Sequence, residues 1–241
     1  MNDYLKNYRI KLTTAGPLYI GSGNSIGKKE YIFDSDLKKV YIPDLKKMYH
    51  WLVQNGYEKR FEKYMMEEDT GFDKWLEKNR IRPSEWEKWI SYTLDSSDAV
   101  SNARSKIEIQ TFIKDKQGCV YVPGSSLKGA LRTAVLAASI IRRRDSLDEA
   151  ARRVKTAEFK GRNSYLSAEE NMLKTGFFHT AKRTEKRTDI VNDCLAGLRI
   201  SDSRPIETDC LILCKKIDER PDGSKKEINV LRECIRPGTE I

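Results

Sequence analysis

The sequence predicts an α+β fold, and three observations support this prediction. Short segments that alternate apolar and polar residues lie near both ends of the chain, at 7–15 and 208–218. Between residues 45 and 94, apolar side chains recur at the spacing of amphipathic helices. A longer and more apolar helical pattern covers roughly residues 125–142. Strands interrupted by blocks of helices in this way are typical of α+β domains.

The N-terminal region predicts strands separated by glycine-rich sequence. Residues 7–15 (NYRIKLTTA) form the first predicted strand, and Gly16 and Pro17 end it. The segment LYIGSGNSIGKKEYIF at 18–33 predicts a glycine-rich loop between two β-like pieces. Another short strand is predicted for KVYIPD at 39–44.

The helical block at 45–94 is predicted to form a small subdomain of short amphipathic helices. It contains all four tryptophans of the chain, Trp51, Trp75, Trp86 and Trp89. Tryptophans at helical spacing more commonly fill a hydrophobic core than stack on nucleic-acid bases, so we expect them to be core residues. The exposed faces of these helices are candidates for docking a partner protein.

Strands return after the helical block. Residues 106–123 (KIEIQTFIKDKQGCVYVP) predict strands around a Lys-Gln-Gly turn. Residues 143–175 are charged and mostly helical in pattern. The segments GLRISDSRPI at 197–206 and TDCLILCKKID at 208–218 predict two further strands, and RPDGSKKEI at 220–228 predicts a turn.

Composition restricts the class of protein. The chain has 241 residues, a net charge of +9 and a pI of about 9.2, which modestly favours a polyanionic partner but is also compatible with ordinary solubility. No apolar run is long enough for a membrane span, and the N-terminus lacks the apolar core of a signal peptide. The five cysteines lack the spacing of zinc ligands. We therefore expect a cytoplasmic protein with reduced cysteines, no bound metal and no cofactor.

The glycine-rich segments do not match a nucleotide-hydrolysing loop. Gly124 and Gly129 have the spacing of a Walker motif, but Ala130 stands where the pattern needs lysine. Gly21–Gly27 has one residue too many between its glycines, and Lys29 stands where the hydroxyl residue belongs. Nucleotide hydrolysis is therefore not predicted.

The junction at 121–134 (YVPGSSLKGALRTA) has two interpretations. In the first, Ser125 or Ser126 caps the helix, and the free amides of its first turn attract phosphate together with Lys128 and Arg132, which lie four residues apart on one face. In the second, the segment is only a capped helix after a tight turn. The residues alone do not separate the two.

Histidine is scarce, and the remaining cationic residues are clustered. The two histidines are His50, in the helical block, and His179. A basic stretch, HTAKRTEKRTD at 179–189, carries Lys182, Arg183, Lys186 and Arg187. It is either a loop that follows an RNA backbone or a solvated charge run. The arginine-rich segment IIRRRD at 140–145 is a weaker candidate, because cations at a helix end also suit the helix dipole.

Four segments resemble the RAMP superfamily of CRISPR proteins. The junction YVPGSSLKGALRTA resembles that superfamily's glycine-rich loop and first helix, and GPLYIGSGNSIGKKEYIFD at 16–34 resembles its strand–loop segment. CLAGLRISDSRPI at 194–206 resembles a later core strand, and LRECIRPGTEI at 231–241 resembles the segment that leads into the last strands. The four segments occur in the family's order and span nearly the whole chain.

Within the superfamily, the chain most resembles the crRNA 3′-end capping subunits of type III-A Csm effector complexes. The resemblance implies an RRM-like, ferredoxin-type core with an inserted helical subdomain. It also implies non-catalytic crRNA binding and assembly within an antiviral ribonucleoprotein, beside the repeated backbone subunit, with target RNA and recruited nucleases as further partners. The residues expected to contact RNA are Lys28, Lys29, Gly124, Ser125, Ser126, Lys128, Gly129, Arg132, His179, Lys182 and Arg183.

Two alternatives remain open. The first is an RNA-cleaving backbone-type subunit or a crRNA-processing endoribonuclease. In the backbone subunit the loop that matches residues 26–31 carries a catalytic aspartate, but here that loop offers only Glu30, and the next aspartate is Asp34. We therefore expect no catalytic residues and no enzyme activity. The second alternative is a protein-interaction module that recruits nucleases through the helical block.

The resemblance also implies a domain organisation. The RAMP core is predicted at 1–44 and 106–241, and the helical insertion at 45–105. In the family, further strands follow the segment that ends here at Ile241, so the C-terminal strands of the core are expected to be missing from this sequence.

Overall fold

The computed structural model describes residues 6–96, 99, 107–143, 147–158, 166–220 and 222–241. The strands are β1 (Gly21–Ile26), β2 (Ile32–Asp34), β3 (Lys39–Pro43), β4 (Ile90–Asp95), β5 (Glu108–Phe112), β6 (Leu211–Glu219) and β7 (Lys225–Ile235). The helices are α1 (Leu45–Gln54), α2 (Glu58–Glu67), α3 (Phe72–Lys78), α4 (Pro83–Trp86), α5 (Gly124–Arg142), α6 (Asp148–Thr156) and α7 (Ser167–Phe178). This is the predicted α+β class.

The chain divides into two compact units, which cut the sequence elsewhere than the predicted domains do. The first unit comprises Met1–Val122 with Arg204–Ile241, and the second comprises Pro123–Ser203. The predicted helical insertion at 45–105 thus belongs to the first unit, and residues 97–98 and 100–105 of it lie outside the described residues. The first unit contains the sheet and α1–α4, whereas the second contains α5–α7.

The sheet of the first unit has seven strands in the order β1-β5-β7-β6-β4-β3-β2. The central β6–β7 pair is an antiparallel hairpin, whereas β5–β7 and β4–β6 are parallel. The N-terminal segment joins this unit through the chain's last residues, because the amides of Leu12 and Ile241 each donate to the other's carbonyl, at 3.0 and 2.9 Å. Residues 7–15 were predicted as a strand, but they form a single bridge, Thr13–Glu240, and no regular strand.

One face of the sheet carries the main hydrophobic core. Alternate residues on the central strands point into it, and Leu94, Ile109, Leu211 and Ile235 are each at most 1% exposed. The period of two in these strands is the pattern that the sequence displays around the β6–β7 hairpin. Glu233 lies among these apolar residues and is itself fully buried.

The helices α1–α4 have a separate core rich in aromatic residues. Asp44 caps α1 by accepting the amides of Lys46 and Lys47, and Pro83 opens α4, so local sequence fixes both starts. Phe72, Trp75 and Trp89 are at most 2% exposed and pack with their rings 5.7–6.0 Å apart. Trp86 is also buried, and Trp51 packs against the cluster, so the prediction that tryptophans fill a core is confirmed.

Several other predicted secondary-structure assignments are also wrong. Residues 90–95 form strand β4 and not a helix, because their backbone pairs with β3. Residues 21–26 form strand β1 and not a loop, since their backbone pairs with β5 despite two glycines. Residues 197–206 form no strand apart from a bridge at Ile206, because Asp202 and its neighbours turn toward the start of α5.

Candidate nucleic-acid interface

The structure places nine of the eleven predicted RNA-contact residues in the second unit. They fall into two groups, one at the start of α5 and one in the segment after α7. The other two, Lys28 and Lys29, lie in the first unit, and the structure does not bring them into the same compact unit.

The start of α5 is capped differently from the prediction. Pro123 is the N-cap residue and no side chain caps from within the helix, so neither Ser125 nor Ser126 has the predicted capping role. Instead, the amide of Gly124 donates to the Asp202 carboxylate at 2.8 Å. Because proline lacks a side-chain acceptor and the serines already lie within the first turn, the distant aspartate takes over. A carboxylate thus lies where the phosphate interpretation needs an open anion site.

Gly124 is required by a close approach of backbone. A Cβ atom at this position would collide with the carbonyl groups of Ile200 and Ser201. Gly129 differs, because nothing lies within 4 Å of the position of its Cβ. The glycine that opens the helix therefore serves the chain's own packing, whereas Gly129, like Ser125 and Ser126, is exposed.

The face of α5 that carries Lys128 and Arg132 lies against its own unit. The Lys128 ammonium donates to the carbonyl of Leu198 at 2.8 Å. The Arg132 guanidinium is 2.5 Å from Asp193 and 3.9 Å from the centre of the Phe178 ring. Both cations therefore have partners within their own unit, a carbonyl for Lys128 and a carboxylate and an aromatic ring for Arg132.

Apolar side chains of α5 are exposed, against expectation. The sequence predicts that Leu127, Leu131, Val135 and Leu136 fill the core. Leu131 and Val135 are instead 39% and 47% exposed, and Gly124 is the one buried residue of the helix. The apolar pattern is present, but polar contacts decide which face packs within this unit.

Lys28 and Lys29 link their glycine-rich loop to the helices of the first unit. Lys28 pairs with the Asp69 carboxylate at 2.9 Å, and Lys29 donates to the carbonyls of Tyr64 and Met65 at 3.3 and 2.8 Å. These carbonyls lie in the last turn of α2, where a cation is favoured. Both ammonium groups therefore have internal partners.

Glu30 lies in the same loop and has a local structural contact. Its carboxylate accepts the amide of Gly27 at 2.8 Å, and its own amide donates to the Gly27 carbonyl at 2.8 Å. The side chain thus closes a turn of the loop.

The second group of predicted residues belongs to a closed loop at 179–193, which we call the basic loop. Its ends meet where the amide of Cys194 donates to the carbonyl of Phe178 at 2.8 Å. Next to this contact, the amide of Ala181 donates to the carbonyl of Asn192 at 3.0 Å. Arg132 stacks on Phe178 and pairs with Asp193, so it holds both ends of the loop.

Asn192 organises the interior of the basic loop. It is 2% exposed, and its Oδ1 accepts the amides of Arg183 and Thr184 at 2.7 and 3.1 Å. Its Nδ2 donates to the carbonyl and hydroxyl of Thr184, at 3.2 and 2.9 Å, and to the carbonyl of Lys186 at 2.9 Å. Every polar atom of this buried side chain is satisfied, so the loop has a defined conformation without an apolar core.

The cations of the basic loop surround an open cavity of about 810 Å³. His179, Lys182, Arg183 and Arg187 line it. The side chains of Lys182 and Arg183 are exposed and make no hydrogen bond or ion pair with any residue that the structure describes. Of the predicted residues, these two are the cations free to meet an anion.

Sequence reasoning did not identify three residues that shape this surface, namely Asn192, Asp193 and Asp202. Each contacts a residue distant in sequence or an amide of the main chain, and short polar side chains in loops carry no periodic signal. A signal was present for Asp202, because it lies in the segment GLRISDS that resembles the superfamily.

The structure gives no sign of a metal site or membrane helix within the parts it describes. In those ranges no three His, Cys, Asp or Glu side chains are grouped as metal ligands, and no helix combines the length and apolarity that crossing a membrane requires. All five cysteines are free thiols, and burial raises the pKa of Cys234 to about 12, which disfavours the thiolate that metals bind.

Comparison with known proteins connects this architecture to a family. A model of the RAMP superfamily matches residues 11–241. The CRISPR system Cms protein Csm5 of Mycobacterium tuberculosis (strain CDC 1551 / Oshkosh) is 30% identical over 259 residues, covering 100% of this chain and 66% of that protein. The protein of the same name from Streptococcus thermophilus is 29% identical over 254 residues, covering 100% and 63%. The chain thus spans slightly less than two thirds of these curated relatives.

Two solved structures share the fold. The crystal structure of T. onnurineus Csm5 has a TM-score of 0.66 and 23% sequence identity, covering 96% of this chain and 66% of that one. A chain in the cryo-EM structure of a Csm–crRNA–target RNA ternary complex of a type III-A CRISPR-Cas system has a TM-score of 0.65 and 22% identity, covering 95% and 61%.

Proposed function

Because the chain belongs to the RAMP superfamily, we propose that it is a non-catalytic crRNA-binding and assembly subunit of a type III-A Csm complex. The observation that supports this most is the match of the whole chain to proteins named Csm5. Its position would be at the crRNA 3′ end, next to the repeated backbone subunit, with target RNA within reach.

The proposal includes the RRM-like architecture that the family resemblance implies. In this view the sheet is a ferredoxin-type core, into which α1–α4 are inserted between β3 and β4. The separate aromatic core of these helices supports an insertion that could be gained as one piece. Replacing residues 45–89 by a short linker should leave the sheet folded, as judged by the far-ultraviolet circular dichroism of the remaining chain.

The RNA contacts are proposed to be phosphate contacts. Lys182 and Arg183 are exposed and available, as are Ser125, Ser126 and Gly129 at the start of α5. Gly124, Lys128, Arg132, Lys28 and Lys29 are engaged internally and are proposed to support RNA binding by holding structure. A surface of this kind reads backbone charge and not base edges.

The direct test of crRNA binding uses the purified chain. Its absorbance ratio at 260 and 280 nm and sequencing of co-purified nucleic acid would establish whether it retains RNA. Fluorescence anisotropy with labelled single-stranded RNA over a series of salt concentrations should then show affinity that falls with salt and varies little with base sequence. A salt slope near zero would contradict phosphate binding.

The non-catalytic part of the proposal has its own test. Glu30→Ala should leave target-RNA cleavage by an assembled complex unchanged, because Glu30 closes a turn of its own loop. Labelled guide and target RNA in complexes built with each variant would give the cleavage ladder. Loss of one band in the variant would show that this loop carries a cleavage centre.

A second candidate function is recruitment of a protein partner, such as a nuclease, through the helical block. The supporting observation is an apolar stripe on α1, where Leu45, Tyr49 and Val53 are 51%, 41% and 42% exposed at successive turns. Helices often dock into a partner's groove through such a stripe. A pulldown with Tyr49→Glu/Val53→Glu should lose the partner while RNA binding is kept.

A further inference from the structure

We infer that the cavity of the basic loop is a binding pocket for phosphate groups of an RNA strand, and that Asn192 is the residue that positions its cations. The inference rests on the proposed RNA-binding function and assigns part of it to one pocket. Neither the pocket nor Asn192 follows from the family comparison, because both emerge from the contacts within residues 179–193.

The first step is the state of the loop's backbone. The Asn192 side chain engages the amides of Arg183 and Thr184, and the carbonyls of Thr184 and Lys186. The Arg187 carbonyl in turn bonds the Nδ1 atom of His179 at 2.9 Å. These main-chain groups thus hold the loop's shape, and the exposed side chains of Lys182 and Arg183 remain available.

The second step is the charge around the cavity. Lys182, Arg183 and Arg187 contribute three positive charges to the lining, and Glu185 contributes one negative charge. The Arg187 guanidinium has only a long contact, 3.5 Å, to the carbonyl of Gly176. Of the other two carboxylates of the loop, Asp189 accepts the Thr184 hydroxyl at 2.9 Å, and Asp193 pairs with Arg132. The cavity therefore has a net positive lining in a region open to solvent.

The third step is the choice of ligand. Its volume, about 810 Å³, exceeds what one small anion fills, and its lining offers guanidinium and ammonium groups. The one aromatic ring among its lining residues is the His179 imidazole, whose Nδ1 is hydrogen-bonded to the Arg187 carbonyl. Pockets that read bases normally supply stacking rings, whereas pockets that follow a strand supply cations. Successive phosphates of a single strand fit this lining better than a nucleobase or an isolated ion.

The last step concerns Asn192. If its amide group were lost, two backbone amides and two carbonyls would need new partners, and the loop would change shape. Asn192 accepts the backbone amide of Arg183, and Lys182 is the adjacent residue, so the positions of both side chains depend on Asn192. The Asn192 side chain thus acts on RNA through the cations and makes no contact of its own with RNA.

The test uses the full chain, a labelled single-stranded RNA and fluorescence anisotropy over a salt series. Each phosphate contact on a single strand contributes about 0.7 to the log–log salt slope, so Lys182→Ala/Arg183→Ala should reduce the slope by about 1.4. The matched control, Lys46→Ala/Lys88→Ala, removes the same charge from exposed positions on the first unit and should leave the slope unchanged. Glu185→Gln should act in the opposite direction and raise the affinity.

Asn192→Leu tests the positioning role, because it keeps a similar side-chain volume and adds no charge but loses both the Oδ1 acceptor and the Nδ2 donor. It should weaken RNA binding in the wild-type background and have no further effect in the Lys182→Ala/Arg183→Ala background. A residue that merely stabilised the unit would weaken binding equally in both backgrounds, and that result would refute the positioning role. Thermal melting of each variant separates loss of the loop from loss of the fold.

Three outcomes overturn the inference, and they differ from failure of the proposed function. If the wild-type chain binds RNA with a salt slope but the double alanine variant matches it, the pocket is wrong while the proposed function stands. If inorganic phosphate binds the wild-type chain but displaces RNA no more than chloride does at equal ionic strength, the cavity is a small-anion site. If the wild-type chain binds no RNA, the proposed RNA-binding function itself fails, and the pocket falls with it.

Discussion

Replacing Glu233 by glutamine should destabilise the first unit strongly, although this residue lies in a strand and is not a proposed RNA contact. Its carboxylate is fully buried and accepts three hydrogen bonds, from the Phe112 amide at 2.9 Å, the Tyr92 hydroxyl at 2.6 Å and the Lys114 ammonium at 2.5 Å. Lys114 also donates to the Tyr92 hydroxyl at 3.0 Å, so the three side chains form one network. The network ties β4 and the end of β5 to β7.

The magnitude follows from what glutamine retains. It keeps the volume and one carbonyl oxygen, which can accept from one of the three donors, while its amide group faces a cation. Removing one charge of a buried ion pair costs about 3–5 kcal/mol. Lys114 keeps 17% of its side chain exposed and can regain part of its hydration, which favours the lower end, about 3 kcal/mol. For a chain of this size that equals a drop in Tm of roughly 6–12 °C.

The assay is urea denaturation and thermal melting followed by circular dichroism. The matched control is Glu240→Gln, which breaks an equally short ion pair with Lys11, 2.6 Å, whose side chains are 64% and 68% exposed. That loss should stay below about 1 kcal/mol. In Lys114→Met/Glu233→Gln the two losses should be less than additive, because no unpaired charge remains. Equal stability of the Glu233 and Glu240 variants would refute the reasoning.

Three further predictions concern Gly124, Arg132 and Tyr31. Gly124→Ala should lower the free energy of unfolding by about 1–3 kcal/mol, because the added Cβ would collide with backbone atoms. Gly129→Ala should raise the free energy of unfolding by up to about 1 kcal/mol, since the site is open and alanine is the better helix former. Urea denaturation that ranks the two variants in the opposite order would contradict this. Arg132→Ala should lower the free energy of unfolding by about 1–2 kcal/mol, because it loses the Asp193 ion pair and the Phe178 ring contact. An unchanged Tm would contradict the role of Arg132 in holding the ends of the basic loop. Burial raises the pKa of Tyr31 to about 12, so the stability that its neutral hydroxyl contributes is complete below pH 10 and is lost as the pH rises toward 12. Over that interval the free energy of unfolding of Tyr31→Phe should fall less than that of the wild type. Parallel curves of unfolding free energy against pH would contradict the assignment.

The fold was largely predictable where burial sets the residue pattern. Strand β6, helix α5 and the aromatic helical block were each visible as a periodic pattern. Strand β6 and the helical block bury one face or one stripe, whereas Gly124 is the one buried residue of α5. The same reasoning failed for residues 90–95, where a strand follows directly on the last turn of the helical block and shares its apolar residues. Period alone cannot separate a short buried strand from the end of a helix.

The buried Glu233 shows a different limit. It occupies the core-facing position between Leu231 and Ile235, so the period of two was visible in the sequence. A charged residue at such a position is normally assigned to the solvent side. Its partners Lys114 and Tyr92 lie more than 100 residues away, and nothing in the local sequence reveals that they meet it.

The candidate interface was predictable in composition but not in which cations are free. The sequence identifies Lys128, Arg132, Lys182 and Arg183 equally well, since all four are basic residues near turns or helix starts. The structure separates them by their partners, because a carbonyl and a carboxylate hold the first two, and no described residue holds the last two. Such pairing depends on tertiary contacts between segments that the sequence does not relate.

The second unit is held together mainly by polar contacts, and this bears on how it would respond to RNA. The two hydrophobic core clusters of the described residues lie in the first unit. In the second unit the contacts that join distant segments include the Gly124–Asp202 and Lys128–Leu198 hydrogen bonds and the Arg132–Asp193 ion pair, and Asn192 holds the basic loop together. A unit of this kind opens locally at low cost, and a ligand that binds only its closed form stabilises it by mass action. RNA that bridges Lys182 and Arg183 would therefore be expected to protect the amides of the basic loop, such as those of Arg183 and Thr184, from hydrogen exchange more than the amides of the sheet.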